Sequence, residues 1–234
     1  MTLLSLREVR GGYAEVDILN GVDAEIAAGE TVTIAGTNGA GKSTLIKAIM
    51  GLLPRIGGTI QFEGHDLLAL PVERRIHVGI GYVPQVANVF GSLTVLENLL
   101  AVEGVADRTA RLDEMFALFP ALAERRRMRA GAMSGGERQQ LAFARALMAR
   151  PKLMLLDEPT AALSPALVDQ VFARIRELPR LGVAVLMVEQ RARQALAVSD
   201  RGYVLDQGRV ALGGPADSLL ADERAAALYL GRAG

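Results

Sequence analysis

Cysteine is absent from this 234-residue chain. That excludes a disulfide framework and is compatible with a reducing cytosol. No run of about 18 apolar residues occurs, so no stretch reads as a membrane-crossing helix. The opening residues, Met1-Thr2-Leu3-Leu4-Ser5-Leu6-Arg7-Glu8, lack the basic region and long apolar core of a signal peptide, and the chain is expected to be soluble. Net charge is missing as well. Lys+Arg and Asp+Glu stand at 26 each, so no bulk field draws the protein to nucleic acid or anionic lipid. Aromatic residues make up only 4 % of a chain that is 50 % hydrophobic, so aliphatic strands and helices must fill the core. The length suits one large domain, or a core with a subsidiary lobe.

What is present is organised around Gly36-Thr37-Asn38-Gly39-Ala40-Gly41-Lys42-Ser43-Thr44. The β-branched run Thr31-Val32-Thr33-Ile34-Ala35 before it reads as a buried strand, and Leu45-Ile46-Lys47-Ala48-Ile49-Met50 after it as a helix start. Strand, glycine loop and helix make the phosphate-binding pattern G-x-x-x-x-G-K-[ST] in its confirming context. Glycines let successive N–H groups turn toward phosphate oxygens, and the helix N-terminus adds its positive dipole end. Candidate nucleotide contacts are Gly36, Asn38, Gly39, Gly41, Lys42, Ser43 and Thr44. Lys42 would reach the terminal phosphates of a nucleoside triphosphate, and the Ser43 hydroxyl would be a Mg²⁺ ligand.

Elsewhere the pattern is α/β. Residues 3–10 and 17–27 read as strands about a turn at Gly11-Gly12-Tyr13-Ala14, and 59–62 and 76–83 as two more. From about residue 92 to 129 the spacing becomes helical, interrupted at Pro120, and a further helix begins at Ser134. Residues 152–157 and 182–188 are continuous apolar runs, as expected of central parallel strands. A helix is expected from Pro165 to about Leu178. Residues 203–205 and 209–212 look like a hairpin, and helical sequence follows to the end. The expected architecture is a mostly parallel sheet with an antiparallel edge, formed by 1–85 and 150–234, carrying a helical subdomain at 86–149.

Two further elements carry chemistry. Asp157 and Glu158 fall at the C-terminal tip of a buried strand, where open α/β sheets place ligands. Alone they could be an ordinary acidic junction. Joined to the glycine loop they read as a metal ligand and a base for the attacking water. Ser134 and Glu137 fit a capping box. A box does not require Gly135 and Gly136 between them, which cost roughly 1 kcal/mol each relative to alanine in a helix interior. They leave N-terminal N–H groups bare, which points to an anion as well as a cap.

The glycine loop, Tyr82-Val83-Pro84-Gln85, Ser134-Gly135-Gly136-Glu137 and Leu155-Leu156-Asp157-Glu158-Pro159-Thr160 occur in an order and spacing that resemble the ATP-binding subunits of ABC transporters. Met133, Val188-Glu189-Gln190, residues 200–205 and Tyr229-Leu230-Gly231 make the chain look most like an ATPase subunit of branched-chain (hydrophobic) amino-acid importers. The resemblance implies ATP and Mg²⁺, with a second ATPase chain, a paralogue or a copy of itself, packed head to tail. Each ATP would then lie between one glycine loop and the other chain's Ser134, Gly135, Gly136 and Glu137. It also implies separate transmembrane permease subunits, an indirect role for a periplasmic or extracellular solute-binding protein, and a place on the inner face of the cell membrane. Tyr13 would stack on adenine, Gln85 would touch Mg²⁺ or its water, and Glu158, Gln190 and Lys42 would serve hydrolysis.

There are departures from that pattern. Gln190 stands where a histidine usually contacts the γ-phosphate; its amide can donate but cannot become cationic near neutral pH. An aspartate common after the strand-tip acids is missing from Ala162-Leu163-Ser164-Pro165, which reads instead as an N-cap with proline at the first helical position. These features leave a competing expectation of a nucleotide-gated regulatory module with incidental hydrolysis. DNA-repair ATPases would need a coiled-coil insertion or a basic face, and GTPases an Asn-Lys-x-Asp motif; neither signal occurs. The apolar loop 86–93, with Phe90, either receives a permease helix or packs the helical lobe.

Overall fold

A computed structural model describes residues 1–86 and 88–231; Ala87, in the apolar loop, lies outside the described residues. The chain opens with β1 (Thr2–Tyr13) and β2 (Val16–Ala27), then β3 (Thr31–Ala35) and α1 (Lys42–Met50) on either side of the glycine loop. Next come β4 (Arg55–Phe62), β5 (His65–Asp66), α2 (Val72–His77) and β6 (Ile80–Val83). Helices α3 (Val95–Leu100), α4 (Arg108–Leu118), α5 (Pro120–Glu124) and α6 (Gly135–Met148) follow without an intervening strand. The remainder runs β7 (Leu153–Asp157), α7 (Pro165–Glu177), β8 (Ala184–Val188), α8 (Ala192–Leu196), β9 (Arg201–Asp206), β10 (Arg209–Pro215), α9 (Ala216–Ala221) and α10 (Glu223–Leu230).

The main sheet has the order β10-β9-β3-β8-β7-β6, with β3 parallel to β8 and β9, and β7 parallel to β6 and β8. The hairpin β9–β10 gives it the antiparallel edge that was expected. Four more strands, in the order β2-β1-β4-β5, form a second, antiparallel sheet. The antiparallel component is thus larger than an edge.

Period-2 alternation assigns the two faces. Leu153 and Leu155 of β7, with Ala184, Leu186 and Val188 of β8, pack toward α1 and the antiparallel sheet. Met154 and Leu156, with Val185 and Met187, pack toward α3–α7. Burial on both faces explains the unbroken apolar runs at these strands. Each buried leucine contributes roughly 1.5–3 kcal/mol. The stacked order places the C-terminal tips of β3, β7 and β8 side by side, and the site is there.

Two local expectations need correcting. Residues 76–83 are not one strand: Ile76 and His77 end α2, and only Ile80–Val83 joins the sheet. The helix is fixed by tertiary contact, because the buried Arg75 guanidinium donates to the carbonyls of Ala48 and Ile49 at the end of α1 and of Leu70. The helical span 92–129 is three helices: Asp107 caps α4 by accepting from Ala110 N, and Pro120 starts α5 rather than merely ending its predecessor.

Candidate nucleotide site

The loop between β3 and α1 is shaped from behind. Gly36 has φ 154°, and a Cβ there would lie 2.3 Å from the carbonyl oxygen of Leu205 in β9. The backbone N–H of Gly208, in the β9–β10 turn, donates to Ala40 O at 3.0 Å. Gly41 occupies the N-cap of α1 at φ 102°, with no side-chain cap. Lys42 is 4 % exposed, and its Nζ donates to the carbonyls of Gly36 and Thr37, both at 2.9 Å. Burial depresses the Lys42 ammonium below the usual lysine range, against the opposing pull of Glu158, Glu189 and Asp157. Asn38 and Gly39 are exposed at the loop crest, and Thr44 is buried in the first turn of α1.

Ser43 Oγ donates to Asp157 Oδ1 at 2.7 Å, joining the start of α1 to the tip of β7. Asp157 is 4 % exposed. Burial raises its carboxyl above the ordinary range, while the Ser43 hydrogen bond, Lys47 and Lys42 lower it. Glu158 turns away from the strand in a left-handed conformation, φ 46°, and its N–H donates to Val188 O at 2.9 Å. Burial raises the Glu158 carboxyl, Lys42 opposes this, and Glu189 and Asp157 add to it. Gln85, just past β6, donates from Nε2 to Glu158 Oε2 at 2.7 Å. Gln85 therefore engages the candidate base rather than the Ser43–Asp157 pair on which metal binding was expected.

A carboxylate to which the sequence reading gave no role organises this end of the sheet. Glu189 follows β8 and is 1 % exposed. Its Oε1 accepts from Thr160 N and Thr160 Oγ1 at 3.0 and 2.6 Å, and its Oε2 from the backbone N–H groups of Gln190 and Arg191 at 3.0 and 3.2 Å. One buried acid thus ties the loop carrying Glu158 to the loop carrying Gln190. The available signal was an acid closing an apolar run, the same signature as Asp157. Gln190 itself is exposed.

Tyr13, at the end of β1, is half-exposed, and its hydroxyl accepts from Lys47 Nζ at 3.3 Å. Ser134 and Glu137 form both halves of the capping box: Ser134 Oγ accepts from Glu137 N at 3.3 Å, and Glu137 Oε2 from Ser134 N at 2.9 Å. No hydrogen bond among the described residues links this box to the glycine loop of the same chain. A Cβ on Gly136 would come within 2.5 Å of the Leu167 side chain, whereas one on Gly135 would meet only ordinary contact with Leu163. Packing thus crowds the second glycine, through a leucine side chain that can shift, and leaves the first unconstrained. Ser164 occupies the N-cap of α7 and Pro165 its first position, as expected, but the Ser164 side chain makes no cap bond.

A glycine loop closing a strand onto a helix, a buried lysine inside it, and a hydroxyl–carboxylate pair backed by a second acid define a P-loop nucleoside-triphosphatase. The sequence model described as ABC transporter matches residues 19–161. The chain belongs to that family, as an ATP-binding ATPase subunit.

Individual relatives agree over essentially full length. A high-affinity branched-chain amino acid transport ATP-binding protein, BraG of Pseudomonas aeruginosa, is 43 % identical over 98 % of this chain and 100 % of its own. A probable branched-chain amino acid transport ATP-binding protein, LivF of Archaeoglobus fulgidus, is 41 % identical over 98 % and 99 %. The lipopolysaccharide export system ATP-binding protein LptB of Escherichia coli is 35 % identical over 99 % and 98 %. Among solved structures, the ADP conformation of the ATP-binding cassette MJ1267 is similar with a TM-score of 0.85 at 28 % identity, over 99 % of both chains. The dimeric post-hydrolysis structure of the cassette MJ0796, bound to ADP and Pi, gives 0.78 at 26 % identity, over 92 % of this chain and 99 % of that one.

Proposed function

We propose that this subunit hydrolyses MgATP to power import of branched-chain amino acids through separate membrane subunits. The Ser43–Asp157 contact carries the chemical part of this reading. It sets a hydroxyl and a carboxylate, both hard oxygen donors suited to Mg²⁺, beside the phosphate loop. Mg²⁺ bound there would neutralise charge on the terminal phosphates. Lys42 exchanges loop carbonyls for phosphate oxygens of full charge. Glu158 accepts a proton from the attacking water, and its raised affinity for protons suits a general base. Gln85 orients that carboxylate, Gln190 donates to the γ-phosphate from the adjacent strand tip, and Tyr13 stacks on adenine.

One chain holds one glycine loop and one Ser134–Glu137 element, so a head-to-tail dimer with a paralogue or a second copy would complete each site. Residues 86–149 form the helical subdomain that presents Ser134 to the neighbour. The described residues contain no helix long and apolar enough to cross a membrane, so translocation needs permease chains, with a solute-binding protein upstream of them. The cargo follows from the named functions of BraG and LivF.

Glu158→Gln should retain ATP while slowing hydrolysis by about 10²–10⁴-fold; unchanged turnover in a phosphate-release assay would remove Glu158 from the role of base. A groove of about 580 Å³ between α2, β6 and α6 contains Ile76, Tyr82, Phe90 and Arg145. Phe90 is 49 % exposed there beneath the Arg145 guanidinium, 4.4 Å from its ring centre. That exposure favours a permease helix docking at this groove over packing within the helical lobe. Phe90→Ala should still bind ATP but lose co-purification with the permease; intact assembly would refute the docking.

A further inference from the structure

Glu137 places a carboxylate in the first turn of the helix that is to meet the neighbouring chain's triphosphate. An anion at a helix N-terminus is good for the helix and bad for a second anion arriving there. The structure shows what that carboxylate does. Its Oε2 accepts from Ser134 N at 2.9 Å, and its Oε1 pairs with Arg125 Nε, also at 2.9 Å. Arg125 lies immediately past α5 and its side chain is 37 % exposed, whereas the Glu137 side chain is 20 % exposed. Its other acidic neighbour, Glu124, stands 4.0 Å away and 77 % exposed. The Glu137 carboxyl is held below the usual carboxylate range, chiefly by the Ser134 N–H and further by the Ser134 hydroxyl and Arg125. It is therefore charged at neutral pH.

We propose that Arg125 is a positioning residue for the composite ATP site: it clamps and neutralises Glu137, so that the N–H groups of Gly135 and Gly136 can receive the partner's γ-phosphate. The inference rests on the head-to-tail reading above. Arg125 acts through Glu137 and does not itself touch the nucleotide. The same pair explains how a glutamate can stand at this helix start without repelling the triphosphate.

The test uses full-length protein in the Glu158→Gln background, alone and mixed with a paralogous cassette, reading ATP-driven dimerisation by light scattering. ATP affinity of the single chain is measured separately by calorimetry. Arg125→Ala should weaken ATP-driven dimerisation on the order of tenfold, because it leaves like charges facing each other. Single-chain ATP affinity should not change. Adding Glu137→Gln to Arg125→Ala should restore dimerisation, since the amide can still cap Ser134 N–H without charge. A double variant as weak as Arg125→Ala would overturn the proposal, showing either direct phosphate contact by Arg125 or a purely structural role. Failure of the parent protein to dimerise with ATP in either mixture would instead sink the head-to-tail reading, and this proposal with it.

Discussion

Two helices begin at glycine-rich loops and end up with opposite local electrostatics. α1 starts at Gly41 with no side-chain cap and no acid in its first turn. α6 starts at Ser134 with both halves of a capping box and Glu137 in its first turn. The first leaves its dipole end and orphan N–H groups for an anion from outside the chain, with Lys42 already inside the loop. The second supplies its own anion and cancels that anion's charge with Arg125. The difference implies a division of labour. On the function proposed above, α1 would bind nucleotide by itself, and α6 would contribute only when another chain brings a phosphate to it.

Removing the key side chain from each end gives the largest contrast. Lys42→Ala should lower single-chain ATP affinity about a hundredfold, since an ammonium–phosphate contact contributes about 1.5–3 kcal/mol per hydrogen bond. Ser134→Ala should leave that affinity within about threefold while lowering folding stability by about 1 kcal/mol through the lost cap. Comparable affinity losses in a calorimetric titration would abolish the asymmetry between the two helices.

The strand tips sharpen the same contrast, because they decide how rigidly the α1 side is held. Glu189 gives each oxygen two donors. A glutamine retains only one acceptor oxygen, so two of those donors would be stranded in a nearly solvent-free position. Glu189→Gln should therefore lose about 1–3 kcal/mol of stability in a urea titration. It should also lower kcat by about tenfold through displaced Glu158, with KM for ATP little changed. A stable, fully active variant would show that Glu189 does not connect the two loops.

The phosphate loop was legible because its requirements are local: a strand, backbone freedom at Gly36 and Gly41, and a helix start. The central strands were legible because burial on both faces leaves an unbroken apolar run. Arg75 shows where such reading ends. Its charge looks like a solvated helix face, yet it is 3 % exposed and caps carbonyls of α1 that are 26 and 27 residues away in sequence. Nothing in residues 72–83 could announce that partner, so the end of α2, Ile76 and His77, was read as part of a strand. Glu189 and Arg125 were missed for the same reason. Each is defined by a partner distant in sequence, Thr160 for Glu189 and Glu137 for Arg125, although the acid at the end of the β8 run was visible. The Ser134 box was readable from spacing, but the packing of Leu167 against Gly136 was not.

The smallest expected effect separates the two ends by pH. Burial raises the Glu158 carboxyl, so the unfolded chain ionises this group first. As pH rises from the ordinary glutamate value of about 4.3 through the higher folded-state value, ionisation in the unfolded chain draws stability away. Glu158→Gln should then raise Tm near neutral pH, with the gain shrinking toward pH 4. Glu137 is the reverse case. Its folded value is lowered by the Ser134 N–H, the Ser134 hydroxyl and Arg125, so its contribution is present above about pH 4.3 and is lost as pH falls through the lower folded value. Glu137→Gln should lower Tm near neutral pH, and that loss should fade on acidification. Thermal melts of the two variants against the parent, from about pH 4 to about pH 8, should diverge in sign. Shifts of the same sign would mean that the strand tip and the helix start do not differ electrostatically as their geometry requires.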